Sequence, residues 1–380
     1  MATDKRTLPE SEGVYPSQWL QKAIADGTID SPKYRIPDKL VQPASVDMRL
    51  GEKAYRLRCS FLAESQTVED KLSDFAMGEL DLRDGAILER NRPYLIPLIE
   101  ELRLPPNLWA RTNPRSSTGR LDIFTRVITD RSHKFDDVAP GYEGKLYLEV
   151  VSRSFTIHVK TELSLNQLRL VSGRGRCSDE EILAYHRSEP VLFVDAVPAP
   201  AEQLALDSGL FLSLDLRGGE RAAAGYRAKK NSRLLDLTRV GHHDPQDFWE
   251  PVFSEPGGRV VLEPEEFYLL LSREAVSIPP RFAAEMSAYE PTSGELRTHY
   301  AGFFDPGFGF SEDRTMRGTR AVLEVRAHDV PFMVEHGQRV CKLAFERMLE
   351  PPSILYGGDI GSSYQKQELT LSKHFRHSSR

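Results

Sequence analysis

The strongest constraint on how this chain can fold is an internal repeat. Leu88-Glu89, Tyr94 and Pro105-Pro106 recur as Leu262-Glu263, Tyr268 and Pro279-Pro280, at a constant offset of 174 positions. Ser45-Val-Asp47-Met-Arg49-Leu-Gly51 returns as Ser213-Leu-Asp215-Leu-Arg217-Gly-Gly219. Pro140-Gly141-Tyr142 with Leu148-Glu149 returns as Pro306-Gly307-Phe308 with Leu323-Glu324, and Gln167 is matched to Gln338. The order is the same in both halves, so two copies of one unit are expected. Glu189–Gln203, with Val197-Pro-Ala-Pro-Ala-Glu, has linker composition, which sets expected domains at 1–190 and 204–380.

Each unit reads as mainly β. Short apolar runs such as Leu146–Val151, Leu168–Val171, Val260–Leu262, Phe267–Leu271 and Ala321–Val325 are bounded by turn-forming residues. Helical patterning is confined to Ser17–Asp26 and to Asp179–His186, the second with Ser178 as N-cap and acidic residues in its first turn.

The 380 residues suffice for two domains, and a formal net charge of −6 argues against a general nucleic-acid binder. The three cysteines, Cys59, Cys177 and Cys341, form no CxxC pair and fit a reducing compartment. No run approaches the roughly 18 apolar residues of a membrane span, and Met1–Pro9 is polar. A cytoplasmic protein without membrane partners is expected.

The segments 42–51, 115–120, 301–307 and 322–324, with Tyr356 and the stretch 363–367, together resemble motifs of the dCTP deaminases, relatives of the trimeric dUTPases. Gln42-Pro-Ala-Ser-Val-Asp-Met-Arg-Leu-Gly51 is similar to that family's opening signature, and Arg115-Ser-Ser-Thr-Gly-Arg120 to its phosphate motif. Ala301-Gly-Phe-Phe-Asp-Pro-Gly307 resembles its nucleoside hairpin, and Val322-Leu-Glu324 the strand bearing its catalytic glutamate. Tyr356 and Ser363-Tyr-Gln-Lys-Gln367 resemble its substrate-closing tail. The resemblance implies two tandem, distorted, dUTPase-like β-barrels with a few short helices, assembled as a trimer or a multiple of it.

It also implies a chemistry. Deaminating cytosine needs a nucleophilic water at C4 and a proton donor for N3 and the departing ammonia, tasks that one carboxylate can share. Zinc deaminases use an HxE and PCxxC signature instead, and neither occurs here. No protein-bound metal or cofactor is therefore expected, with Mg²⁺ arriving on the triphosphate.

By resemblance Glu324 is the general base, Ser116 helps hold the water, and Arg115, Ser117 and Arg120 hold phosphate. The backbone near Ala301 reads cytosine, Asp305 meets the 3′-hydroxyl, and Tyr356, Tyr364 and Gln367 close the site. Glu149, in Leu146-Tyr-Leu-Glu-Val, is the parallel catalytic candidate in the first half. The bland alternatives are a solvent-facing or arginine-paired glutamate, a solvated basic turn, and an Asp-Pro-Gly turn under core phenylalanines. His242-His243 beside Asp244 reads as a polar loop rather than a metal site.

Neither half carries every motif. The first has Arg115-Ser-Ser but Val-Ala139-Pro-Gly where the second has Phe-Asp305-Pro-Gly, and the second reads Ser287-Ala-Tyr-Glu-Pro291 at the expected phosphate turn. Two arrangements stay open: a composite site with phosphates on the first half and cytidine on the second, or a first-half site using Glu149 and borrowing the tail at Tyr364–Gln367. Competing functions are a dUTPase-like pyrophosphatase and a non-catalytic dNTP-binding protein.

Overall fold

The computed structural model describes residues 12–217, 223–288, 296–298, 302–313, 315–327, 329–357 and 370–376. As expected, the chain is mainly β, and every strand read from the apolar runs forms. The helices Ser17–Ala25 and Asp179–Ser188 form too, the second closed by a reciprocal Ser178–Glu181 capping box. A helix at Val68–Phe75, held by a Thr67–Asp70 capping box, was not anticipated.

The two halves share one strand plan. In the first, Tyr94–Arg103 lies between Lys53–Leu57 and Glu143–Ser152, and Ala76–Asp81 continues the sheet beyond Lys53–Leu57. In the second, Phe267–Val276 lies between Gly225–Ala228 and Thr319–Ala327, and Trp249–Val252 occupies the same outer place. A facing sheet pairs Ser164–Ser172 with Val46–Arg49 and Leu108–Pro114, and likewise Arg339–Arg347 with Leu210–Ser213 and Phe282–Ala288. Even single bonds repeat. The Glu89 amide donates to the Tyr94 hydroxyl at 3.2 Å, as that of Glu263 does to Tyr268 at 2.9 Å.

The ladder corrects part of the repeat alignment. Leu50 N donates to Leu163 O and Gly51 N to Pro97 O; Leu214 N donates to Gln338 O and Asp215 N to Leu271 O. Asp215 therefore stands where Gly51 stands, four positions from the match to Asp47, and Gln338 is the counterpart of Leu163 rather than Gln167. Alternating Ser-x-Asp-x-Arg patterns suit many strand ends. Hydrogen-bond register, set by a bulge near Ser164 and another near Ser213, decides which alternation is equivalent.

The halves are joined by a continuous core. Phe155 of the first half packs edge-on against Phe248 and Trp249 of the second, each at 5.6 Å between ring centroids. Leu235–Asp236 adds in parallel to Ile157–Val159, and Phe375 completes the aromatic cluster. Ile182, on the helix after the first half, packs into the second core. This junction fixes the two halves as walls of a shared cleft.

Candidate active site

The strand Leu108–Pro114 runs into a four-residue helix, Ser116–Gly119. Pro114 and an extended Arg115 turn the chain, and the Thr118 and Gly119 amides both donate to Arg115 O, at 2.8 and 3.0 Å. The turn thus presents Arg115, Ser116 and Ser117 on one rim of a cavity of about 510 Å³ between the halves. Arg115 Nη1 lies 3.0 Å from Asp47 Oδ2. Burial lifts the Asp47 carboxyl to about 6, against the pull of Arg115 and Lys373.

Glu324 enters the cavity from the second half, on the strand Thr319–Ala327. Its carboxylate sits directly against Gly119. A Cβ on that glycine would come within 2.4 Å of Oε2 and 2.7 Å of Oε1, so only a residue without a side chain allows this approach. Burial raises the Glu324 carboxyl well above the usual glutamate range; Arg120 opposes the rise and Asp122 adds to it. A buried carboxyl shifted toward neutrality beside a guanidinium is what proton transfer near pH 7 needs.

Phe303, Asp305 and Tyr356 also line the cavity. The C-terminal segment does too. Ser372 Oγ donates to Ser117 O at 2.8 Å, and Arg120 Nη1 donates to Thr370 O at the same distance. Lys373 and His374 thereby border the cavity. Burial and the neighbouring Lys373 hold His374 down to about 4, so its imidazole is neutral at pH 7.

The fold therefore gathers Arg115, Ser116, Ser117, Arg120, Asp305, Tyr356 and Glu324 around one space. Glu149 is elsewhere. It occupies the strand position equivalent to Glu324, each opposite a leucine of the adjacent strand, Leu95 and Leu269. Its carboxylate is fully buried and paired with Arg126, which also donates to Ser60 and stacks 3.8 Å from the Phe135 ring centre. The Val68–Phe75 helix seals that face by packing Val68 and Leu72 with Leu95, Ile128 and Tyr147. Ala301, Tyr364 and Gln367, and the Glu290-Pro291 stretch, lie outside the described residues.

Among the described residues no three His, Cys, Asp or Glu side chains cluster as metal ligands; His243 instead packs edge-on against Phe248 and Phe375. Sequence reasoning did not single out Gly119, Asp47, Lys373 or His374. Asp47 and Gly119 lay inside motifs already quoted. For Lys373-His374 the only signal was a basic, aromatic tail whose docking nothing local predicts.

Two family models match: the 2′-deoxycytidine 5′-triphosphate deaminase N-terminal domain over residues 11–174 and its C-terminal domain over residues 178–375. A dCTP deaminase, dUMP-forming, of Dictyoglomus thermophilum is 29% identical over 133 residues, covering 34% of this chain and 65% of that protein. A dCTP deaminase of Halorubrum lacusprofundi is 34% identical over 116 residues, 30% of this chain and 54% of that protein. The chain thus matches only between half and two thirds of the length of these relatives. The crystal structure of 2′-deoxycytidine 5′-triphosphate deaminase from Agrobacterium tumefaciens superposes with a TM-score of 0.85 at 45% identity, covering 92% of this chain and 99% of that one.

Proposed function

Because the chain belongs to the 2′-deoxycytidine 5′-triphosphate deaminase family and has its dUTPase-like fold, we propose that it hydrolyses the 4-amino group of dCTP, giving dUTP and ammonia. One observation carries the reading. The Glu324 carboxylate of the second half lies against Gly119, inside the arginine–serine turn of the first.

In this reading Arg115, Ser117 and Arg120 hold the triphosphate by charge-assisted bonds. Ser116 and Glu324 hold a water against C4. The carboxylate takes a proton from that water as its oxygen bonds to C4, and passes the proton to N3. A second proton, from the new hydroxyl, goes through the same carboxyl to the amino group, which leaves as ammonia. Arg120 keeps Glu324 ionisable despite its burial. The backbone near Ala301 reads the cytosine edge, Asp305 accepts from the 3′-hydroxyl, and Tyr356, Tyr364 and Gln367 close the cleft.

The protein supplies no metal to these steps, and Mg²⁺ rides on the triphosphate. No described helix is long and apolar enough to cross a membrane. We read the enzyme as a cytoplasmic trimer or multiple of it, with dCTP as its partner rather than nucleic acid.

A second product is chemically open, since several relatives are named dUMP-forming and Asp47, lifted to about 6, stands at the phosphate rim. Incubating the protein with dCTP and with dUTP, while quantifying ammonia and pyrophosphate, tests both. Ammonia from dCTP that is lost in E324Q is the expected result. Pyrophosphate from dUTP with no ammonia from dCTP would make it a pyrophosphatase, and tight binding without turnover a sensor. Ammonia release abolished by a zinc chelator and restored by zinc would overturn the metal-free step.

A further inference from the structure

Arg169 belongs to the first half, yet its side chain ends in the second. It sits on the strand Ser164–Ser172 with 1% of its side chain exposed. Nη2 donates to Asp305 Oδ1 at 3.1 Å, and Nη1 donates to Glu346 Oε2 at 2.9 Å and to Ala284 O at 3.3 Å. The guanidinium stacks 4.0 Å from the centre of the Phe303 ring. The repeat supplies no partner for this arrangement: the equivalent strand position, opposite Glu285 as Arg169 is opposite Arg111, is Ala344.

Burying a guanidinium is costly unless it is well paired, and here even Nε lacks an acceptor. What the arrangement achieves is local. Asp305 and Phe303 both line the cavity, and the only described side chain hydrogen-bonded to Asp305 is Arg169. With Oδ1 tied to Arg169, the carboxylate is held in place at the cavity wall. Burial raises the Asp305 carboxyl and Arg169 opposes it, favouring the ionised acceptor.

We propose that Arg169 is a positioning residue for sugar recognition, holding Asp305 oriented toward the 3′-hydroxyl while clamping Phe303 beside the nucleoside. This deepens the dCTP reading and rests on it.

The test compares kcat and KM for dCTP and for 2′,3′-dideoxy-CTP in wild type, R169K, R169M and D305N. Wild type is expected to prefer dCTP by roughly 10- to 100-fold, the worth of a hydrogen bond to a charged acceptor. In R169M that preference collapses through a fall in kcat/KM for dCTP, with dideoxy-CTP nearly unchanged, and R169K recovers part of it. Equal losses on both substrates in R169M would mean a purely structural role and overturn the proposal. Undiminished preference in D305N would overturn it by removing the sugar contact itself. If R169M does not fold, E346Q, which loosens the far anchor of Arg169, is expected to lower the preference partially; an unchanged ratio there also overturns it. Failure of the deaminase reading is separate, since wild type would then release no ammonia from either substrate.

Discussion

At the scale of single residues, the site depends on a carboxylate stored where it is uncomfortable. Glu324 is raised by burial, so its base form is lost at a higher pH than an ordinary glutamate would lose it. The acid limb of kcat/KM should therefore lie above the usual range near 4.3. Replacing Arg120, the cation that lowers this carboxyl, with Met should push the limb to still higher pH; a pH–rate profile reads both. Gly119 makes a sharper case. It lies in a right-handed helix, where alanine is favoured over glycine by about 1 kcal/mol, so G119A has no backbone penalty. The nearest atoms to the added methyl all belong to the movable end of Glu324. We expect a melting point close to wild type with kcat down about 100-fold or more, as when a general base is displaced.

Elements explain why two equivalent glutamates differ. On the second-half sheet the face bearing Glu324 and Val322 opens on the cavity. On the first-half sheet the equivalent face bearing Glu149 and Tyr147 is roofed by Val68–Phe75 and neutralised by Arg126. E149Q should thus keep ammonia release near wild type while lowering stability by about 1–3 kcal/mol, the usual outcome for a weakened buried polar pair; denaturant titration and the ammonia assay separate the two effects. The C-terminal segment behaves as a wall pinned by its aromatic residue. Phe375 is 2% exposed among Phe248, Trp249 and His243. F375A should cost about 3–5 kcal/mol and raise KM for dCTP, because Lys373 and His374 lose their anchor.

For the whole molecule, duplication has become specialisation. Arg111 and Glu285 occupy equivalent strand positions in the two halves and form an ion pair across their junction. The same interface that joins the halves makes the cleft that Glu324 enters, while Glu149 stays buried against Arg126. Each chain should accordingly bind a single dCTP. Calorimetric titration of the inactive E324Q protein should give a stoichiometry of one per chain, and two would show that the Glu149 face opens.

What was legible in the sequence was whatever local chemistry dictates. Alternating apolar runs specified strands, Ser178 before three acidic residues specified a helix start, and the 174-residue offset specified two copies of one unit. The motif residues were legible only through their joint resemblance to a known family, since an arginine–serine turn alone fits a solvated loop equally well. The rest was decided by pairings between residues far apart in the chain. Register moved the counterpart of Asp47 by four positions. The docking of a helix silenced Glu149, and a guanidinium from one repeat came to hold an aspartate of the other. Such outcomes depend on which surfaces meet once both halves have folded, and burial against a distant partner leaves no mark on neighbouring residues.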